Sequence, residues 1–167
     1  QSGGPGGSPP VRFVNEAKMY IHMDKIMAAL AGDRPPGLYR VPPPIERDAL
    51  ARFCQNYNLQ LICLDGEKIT TKTEFLQAAA QALQFPDYFG YNWDAFEDCL
   101  ADWERLTGKG AILLYTQPEN FAKANPKDWS TLVAILHSTV ADWLKGNLSL
   151  YVLFVTTSSL LGEAEVL

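Results

Sequence analysis

The stretch FPDYFGYNWDAFEDCL, from Phe85 to Leu100, decides how the rest of this chain is interpreted. Pro86 and Gly90 mark a loop, and Asn92 is a residue type that caps helix N-termini. The spacing of apolar side chains then predicts a helix over residues 93–103. At about 100° per residue, this helix has an apolar face and an acidic face. The apolar face contains Trp93, Phe96, Cys99, Leu100 and Trp103, and the acidic face contains Asp94, Glu97, Asp98 and Asp102.

The acidic face is costly for the helix itself. Asp94, Asp98 and Asp102 follow one another at four-residue steps, and like charges at that spacing destabilise a helix by roughly 0.2–0.5 kcal/mol per pair. Residues 86–106 contain six acidic residues and one basic residue. Aromatic residues beside charges are typical of interfaces, and the preceding loop carries Tyr88, Phe89 and Tyr91. The pattern favours a protein-binding surface, and a merely solvated helix face is the alternative.

Enzymatic and metal sites fit this acidic helix poorly. A glycosidase needs two carboxylates facing each other across a cleft, and one helix face does not supply that arrangement. A calcium site needs oxygen ligands that converge on one point. The two histidines, His22 and His137, have no zinc-ligand spacing to each other or to cysteine. We therefore expect no catalytic residues, no metal and no cofactor, although a hydrolase that uses the acidic patch is kept as an alternative.

Strand and helix patterns alternate along the chain, which predicts an α/β fold with a mostly parallel sheet. A Gly/Pro/Ser-rich start predicts a flexible tail over residues 1–14. Residues 15–58 are predicted as an N-terminal extension of a helix, a short strand and a helix, and residues 59–167 as the main domain. Residues 59–64 form a nearly continuous apolar run, as in a strand buried on both faces. The further predicted helices cover residues 71–83 and 128–145, with a short helix expected within residues 118–126. The further predicted strands cover residues 111–115 and 148–155.

The composition limits the type of partner. The net charge of −5 disfavours nucleic-acid binding and favours a basic protein partner. Hydrophobic residues make up 47% of the chain, enough for a real core. The three cysteines (Cys54, Cys63 and Cys99) lie in apolar segments without metal-ligand spacing, as expected for reduced core thiols. With no signal-peptide pattern and no apolar run of about 20 residues, we expect a cytoplasmic protein without membrane contact.

The run from Phe85 to Leu100 closely resembles the signature of the barstar family, the inhibitors of barnase-type ribonucleases. The resemblance extends over residues 59–155, with residues 64–69 similar to the family's first strand and turn. It implies a small α/β fold with a three-stranded parallel sheet and about four helices. A fourth strand is expected if residues 38–41 and the following helix add a βα unit. The resemblance also implies a non-catalytic intracellular inhibitor, an immunity protein that neutralises a small basic ribonuclease or similar toxin without a cofactor.

The resemblance also implies a set of partner-binding residues. By position, Tyr88 resembles the family's loop tyrosine that stacks on a catalytic histidine. Asp94 and Asp98 resemble its two contacting aspartates, with Asp98 deepest in the enzyme's cleft. The complete predicted set is Tyr88, Phe89, Gly90, Tyr91, Asn92, Trp93, Asp94, Glu97, Asp98, Ala101, Asp102, Trp103 and His137. Within this set Gly90 and Asn92 shape the loop, and Trp93 also serves the core.

Two positions depart from the family pattern. Glu97 stands where barstar itself has a tryptophan. Barstar also contributes an acidic residue from a late helix, and the nearest position in this chain is His137. These departures leave a second interpretation open, in which a barstar-like module binds a different basic protein or associates with itself through the N-terminal segment. On the sequence alone, Asp98→Ala is predicted to weaken binding by at least about 2 kcal/mol. Asp128→Ala, expected to lie away from the patch, is predicted to cost little.

Overall fold

The computed structural model describes residues 11–161 and 164–167. Over this part of the chain, five parallel strands form one sheet in the order β2-β3-β4-β1-β5, and six α-helices pack around it. The strands are β1 (Gly37–Val41), β2 (Leu59–Asp65), β3 (Gly110–Thr116), β4 (Ser149–Val155) and β5 (Glu165–Val166). The helices are α1 (Val11–Ala28), α2 (Arg47–Asn56), α3 (Lys72–Ala82), α4 (Trp93–Ala101), α5 (Glu119–Ala124) and α6 (Pro126–Lys145).

The sheet is wider than the three or four strands predicted. Strand β1 pairs with β4 along its whole length, from Gly37 opposite Tyr151 to Val41 opposite Val155. This confirms that the N-terminal segment adds a βα unit beside the sheet. Strand β5 then pairs with β1 through Glu165. A strand of two residues has no periodicity to detect, which is why the sequence did not indicate it.

Helices α3 to α6 form a first layer on one face of the sheet. They bury the sheet side chains of Ile62, Leu64, Leu113, Tyr115, Val152 and Phe154. Phe75 of α3 is the centre of this core, with its ring stacked on Tyr115 and Phe121 at centroid distances of 6.1 and 5.7 Å. The first layer holds the acidic helix, because α4 packs into the same core through Phe96 and Leu100.

Helices α1 and α2 form a second layer on the opposite face. Their side chains Met23, Ile26, Leu50, Phe53 and Cys54 pack on the sheet side chains Ile112, Leu114, Tyr151, Leu153 and Val155. The residues predicted as an extension therefore cover one whole face of the central strands. The two parts of the chain share a sheet and a core. Their division into an N-terminal extension (residues 15–58) and a main domain (residues 59–167) stays a prediction.

Several predicted boundaries shift. Helix α1 begins at Val11, so residues 11–14 belong to it rather than to the predicted tail, whose first ten residues lie outside the described part of the chain. A single π-helical turn, Ala29–Asp33, follows α1. The capping box of Thr71 and Glu74 at the start of α3 is confirmed. Strand β2 lies at a sheet edge, where Ile62 and Leu64 are buried but Leu61 and Cys63 stay partly exposed, so the prediction of full burial on both faces is wrong.

The cysteines are free thiols, as predicted. Cys54 is buried, and Cys63 and Cys99 are half-buried. Burial raises the pKa of the Cys54 thiol to about 11, so this group stays protonated at neutral pH. Within the described residues, no helix is both long enough and apolar enough to span a membrane.

Candidate functional site

Helix α4 presents its acidic side because its other side is anchored in the first layer. Phe96 is 1% exposed and meets the ring of Phe75 edge-on at 5.4 Å. Trp93 lies at the margin of the same core, with its ring 5.7 Å from Phe75. Trp143 of α6 donates its indole N–H to the carbonyl of Leu100 at 3.1 Å. These contacts fix the rotation of α4 and leave Asp94 and Asp98 in solvent.

Asn92 begins the helix as predicted. Its side-chain oxygen accepts a hydrogen bond from the backbone N–H of Ala95 at 2.8 Å, and its side-chain amide donates to the carbonyl of Gly90 at 3.3 Å. The residue thus joins the loop to the first turn of α4. Asn92 positions the neighbouring charged and aromatic groups by capping the helix.

We expect Asn92→Ala to lower the free energy of unfolding by about 1 kcal/mol, because the N–H of Ala95 loses its acceptor. Asn92→Ser keeps an acceptor at that place and is expected to retain most of the stability. Urea unfolding followed by tryptophan fluorescence measures both values. Equal losses in the two variants would show that the cap does not contribute in this way.

The acidic side chains are poorly neutralised within the molecule. Asp94, Asp98 and Asp102 are exposed, and none of them belongs to an ion pair among the described residues. Glu97 is half-buried and lines a shallow groove between α4 and α6 together with Lys127. The negative surface therefore rests on the three aspartates, and Glu97 is its least exposed member.

The residues of the predicted acidic face do not all lie on one helix. Helix α4 ends at Ala101, and Asp102 leaves the helical conformation with φ −118° and ψ 56°. The following Trp103 turns into the core, where it is 9% exposed and donates its indole N–H to the carbonyl of Leu83 at 2.8 Å. The predicted helix over residues 93–103 is therefore two residues too long. Of the three aspartates, Asp94 and Asp98 lie within α4, and Asp102 follows its C-terminal end.

The aromatic residues of the loop divide into exposed and buried groups. The exposed fraction is 74% for Tyr88 and 56% for Tyr91, but only 5% for Phe89. The ring of Phe89 lies 4.9 Å from Phe85 and 4.8 Å from Tyr91. Phe89 therefore supports the loop from within, and the two tyrosines expose aromatic surface to solvent.

Trp93 connects the site to α6. Its indole N–H donates to a carboxylate oxygen of Asp128 at 3.4 Å. Asp128 therefore is not remote from the acidic helix, contrary to the prediction that treated it as a neutral reference. A variant at Asp128 would disturb the first residue of α4, so a different control is required.

His137 is exposed on α6. Ser130, seven residues earlier and therefore on the same flank of that helix, lines both the groove beside Glu97 and the cavity next to Leu38. The place of His137 in the binding surface stays a prediction. The remaining members of the predicted set, Gly90 and Ala101, are exposed beside the patch.

A cleft beside Tyr88 includes a residue that the sequence did not single out. The Tyr88 hydroxyl donates to a carboxylate oxygen of Glu104 at 2.9 Å. The two side chains border a cleft of about 150 Å³, which is also lined by Phe85, Pro86, Asp98, Cys99, Asp102 and Trp103. The hydrogen bond to Glu104 raises the pKa of the Tyr88 phenol, and burial and the charge of Asp98 raise that of the Cys99 thiol. The only sequence signal for Glu104 was its membership of the acidic stretch.

A metal site finds no support in the arrangement of these groups. Among residues 11–161 and 164–167, no three His, Cys, Asp or Glu side chains converge as metal ligands would. The site is thus an acidic and aromatic surface beside a small cleft and a shallow groove, on a parallel α/β scaffold. Such a surface is suited to contact with a basic protein.

The comparisons with known proteins agree with a protein-binding surface of this kind. The family model described as Barstar (barnase inhibitor) matches residues 59–155, which is more than half of the chain, and the chain belongs to the Barstar family. The matched region starts with β2 and ends with β4, and it contains the acidic helix. Helices α1 and α2 and strand β1 lie outside the match. The family is one of inhibitors rather than enzymes.

Among solved structures, the chain is similar to the crystal structure of Cdc6p from Pyrobaculum aerophilum. The TM-score is 0.55 and the sequence identity is 16%, over 96% of this chain and 44% of that chain. At this identity the likeness concerns the fold alone, and the chain spans less than half of the length of that protein. Among curated proteins, none matches this sequence.

Proposed function

We propose that this protein is an inhibitor that binds a small basic ribonuclease of the barnase type and occludes its active site. The observation that carries the proposal is the exposure of Asp94, Asp98 and Asp102, which form no ion pair among the described residues, beside the exposed Tyr88 and Tyr91. An enzyme that holds RNA phosphates needs a cleft lined by cations. An acidic surface with aromatic anchors complements such a cleft in charge and in contact area.

The proposed contact surface is narrower than the set predicted from the sequence. It consists of Tyr88, Gly90, Tyr91, Asn92, Asp94, Glu97, Asp98, Ala101 and Asp102. Phe89 and Trp103 are left out because their side chains are buried. Trp93 is left out because its ring packs against Phe75 and its N–H is bonded to Asp128. His137 is left out because a histidine, when protonated, would face the cations of a basic partner.

Electrostatic steering gives this proposal a kinetic signature. Exposed charges attract a basic partner over roughly a Debye length, which is about 10 Å at 0.1 M salt and shrinks as salt rises. We expect the protein to inhibit a barnase-type ribonuclease and the association rate constant to fall at least about tenfold between 0.05 and 0.5 M salt. Stopped-flow fluorescence and an RNA-cleavage assay measure the two quantities.

The alternative is that the same surface binds a different basic protein or toxin. It is favoured by Glu97 and His137, the two positions that depart from the family pattern. Inhibition of RNA cleavage separates the two candidates, since the alternative leaves ribonuclease activity unchanged. Inhibition with a salt-independent association rate would contradict steering by the acidic surface. The proposed place of action is inside the cell, where an active ribonuclease is harmful.

A further inference from the structure

Tyr88 combines high exposure with a long-range hydrogen bond. It is the most exposed of the large apolar side chains that the structure describes, at 74%. An aromatic side chain in solvent normally samples several rotamers, and ordering it on binding costs free energy. Here its hydroxyl donates to Glu104 at 2.9 Å, across 16 residues of sequence.

Glu104 is held on a rigid support. The preceding residue, Trp103, is buried and bonded to the carbonyl of Leu83 at 2.8 Å. The following residue, Arg105, accepts a hydrogen bond at its carbonyl from the Gln60 side chain at 3.0 Å. Glu104 therefore projects from a backbone that is fixed on both sides, and it ties the exposed ring to the main body of the protein.

The hydrogen bond spans the cleft beside α4. Tyr88 stands on the loop side and Glu104 on the side of the segment after α4, with Asp98 and Asp102 in the same lining. The hydrogen bond therefore holds the Tyr88 ring at the border of the cleft that Asp98 also lines. A partner that binds Asp98 and stacks on Tyr88 needs both groups in register.

We propose that Glu104 is a positioning residue, which pre-organises Tyr88 beside Asp98 for binding of the basic partner. This inference rests on the proposed function and names a residue that the family resemblance did not assign. Glu104 acts through Tyr88 rather than by direct contact with the partner. A rigid ring avoids an ordering cost at the interface, so its contribution is found mainly in the dissociation rate.

A double-mutant cycle of Tyr88→Phe and Glu104→Ala tests this role against a barnase-type ribonuclease. Each single variant is expected to weaken binding about 3- to 10-fold. The double variant is expected to bind no more than about twofold less tightly than the weaker-binding single variant, because both substitutions remove the same hydrogen bond. Glu104→Gln keeps an acceptor and is expected to recover most of the loss. Additive losses in the cycle would overturn the proposal.

A matched control separates positioning from the loss of one negative charge. Asp87→Asn removes a carboxylate from an exposed neighbour of Tyr88. It is expected to slow association about as much as Glu104→Gln does, and to show no coupling to Tyr88→Phe. Coupling of equal size at Asp87 would overturn the proposal, because it would reflect general charge in the loop.

A measurement on the free protein keeps the inference separate from the proposed function. The phenol of Tyr88, followed by ¹³Cζ-tyrosine NMR and assigned with Tyr88→Phe, is expected to titrate above its ordinary range in the wild type and nearer to it in Glu104→Ala. If the wild type fails to bind the ribonuclease, the proposed function falls, and this titration alone decides whether Glu104 holds Tyr88. An unchanged titration in Glu104→Ala would overturn the positioning role.

Discussion

Replacing Asp98 with alanine is expected to weaken binding to a barnase-type ribonuclease by at least about 2 kcal/mol, or roughly 30-fold in Kd. Asp98 is exposed in the middle of the acidic surface and lines the cleft beside Tyr88. It belongs to no ion pair among the described residues. Its removal therefore withdraws a charge from the interface without breaking a salt bridge inside the protein.

The loss of affinity is expected without a loss of stability. Asp94 and Asp98 are four residues apart on α4, so Asp98→Ala relieves a like-charge repulsion of roughly 0.2–0.5 kcal/mol. Alanine also has a higher helix propensity than aspartate. Isothermal titration calorimetry measures the affinity, and urea unfolding measures the stability. A weaker complex together with an equal or higher free energy of unfolding would assign the effect to the interface.

The control for this variant is an aspartate on the other side of the sheet. Asp24 is exposed on α1 in the second layer, and Asp24→Ala changes the net charge by the same amount. Asp128 is unsuitable because it accepts the indole N–H of Trp93. We expect Asp24→Ala to change Kd by less than about twofold. Equal losses from Asp98→Ala and Asp24→Ala would contradict recognition by the acidic helix.

Leu50→Ala is expected to destabilise the whole molecule by about 2–5 kcal/mol, as large-to-small substitutions in a core do. Leu50 is fully buried between α2 and the sheet. It belongs to the N-terminal part of the chain, outside the region that the family model matches. The sheet links the two layers, because β1 pairs with β4. A defect in the second layer should therefore be felt in the first.

The tryptophans provide a probe that is confined to the first layer. The chain has four, and they all pack in or against the core of the first layer, at Trp93, Trp103, Trp129 and Trp143. If the two layers unfold together, the unfolding curve followed by tryptophan fluorescence shifts to lower urea in Leu50→Ala. An unchanged curve would mean that residues 11–58 unfold separately. Gln55→Ala, exposed on the same helix, is the control and should change stability by no more than about 0.5 kcal/mol.

The sequence by itself determined the elements that depend on local chemistry. The N-terminus of α4 follows from Asn92, and that of α3 from the pairing of Thr71 with Glu74, because capping groups act within three or four residues of themselves. The end of α6 is indicated by Lys145 and Gly146, although the residue with the left-handed conformation that follows the helix is Asn147, with φ 58°. The α/β class follows from the alternation of strand and helix patterns. The acidic character of α4 also follows from the sequence, because side-chain direction on a helix is set by its period.

The tertiary structure alone decided which members of the predicted surface reach solvent. Tyr88 and Phe89 are neighbours of similar character, and only packing into the core of the first layer buries the second of them. Asp102 leaves the helix because Trp103 is drawn into the core, a contact with the distant Leu83. The hydrogen bond between Trp93 and Asp128 joins residues 35 positions apart. Each of these outcomes depends on long-range contacts, which the periodicity of a segment does not contain.

The width of the sheet was decided in the same way. The pattern of residues 38–41 predicts a short strand, but nothing within it selects β4 as its neighbour. That choice follows because the edge of β4 is otherwise unpaired and because the side chains of α1 and α2 need the face of the sheet that α3 to α6 leave open. Pairing of strands and burial of faces are properties of the assembled chain. The acidic helix could therefore be recognised from its residues, whereas the scaffold that holds it required the fold.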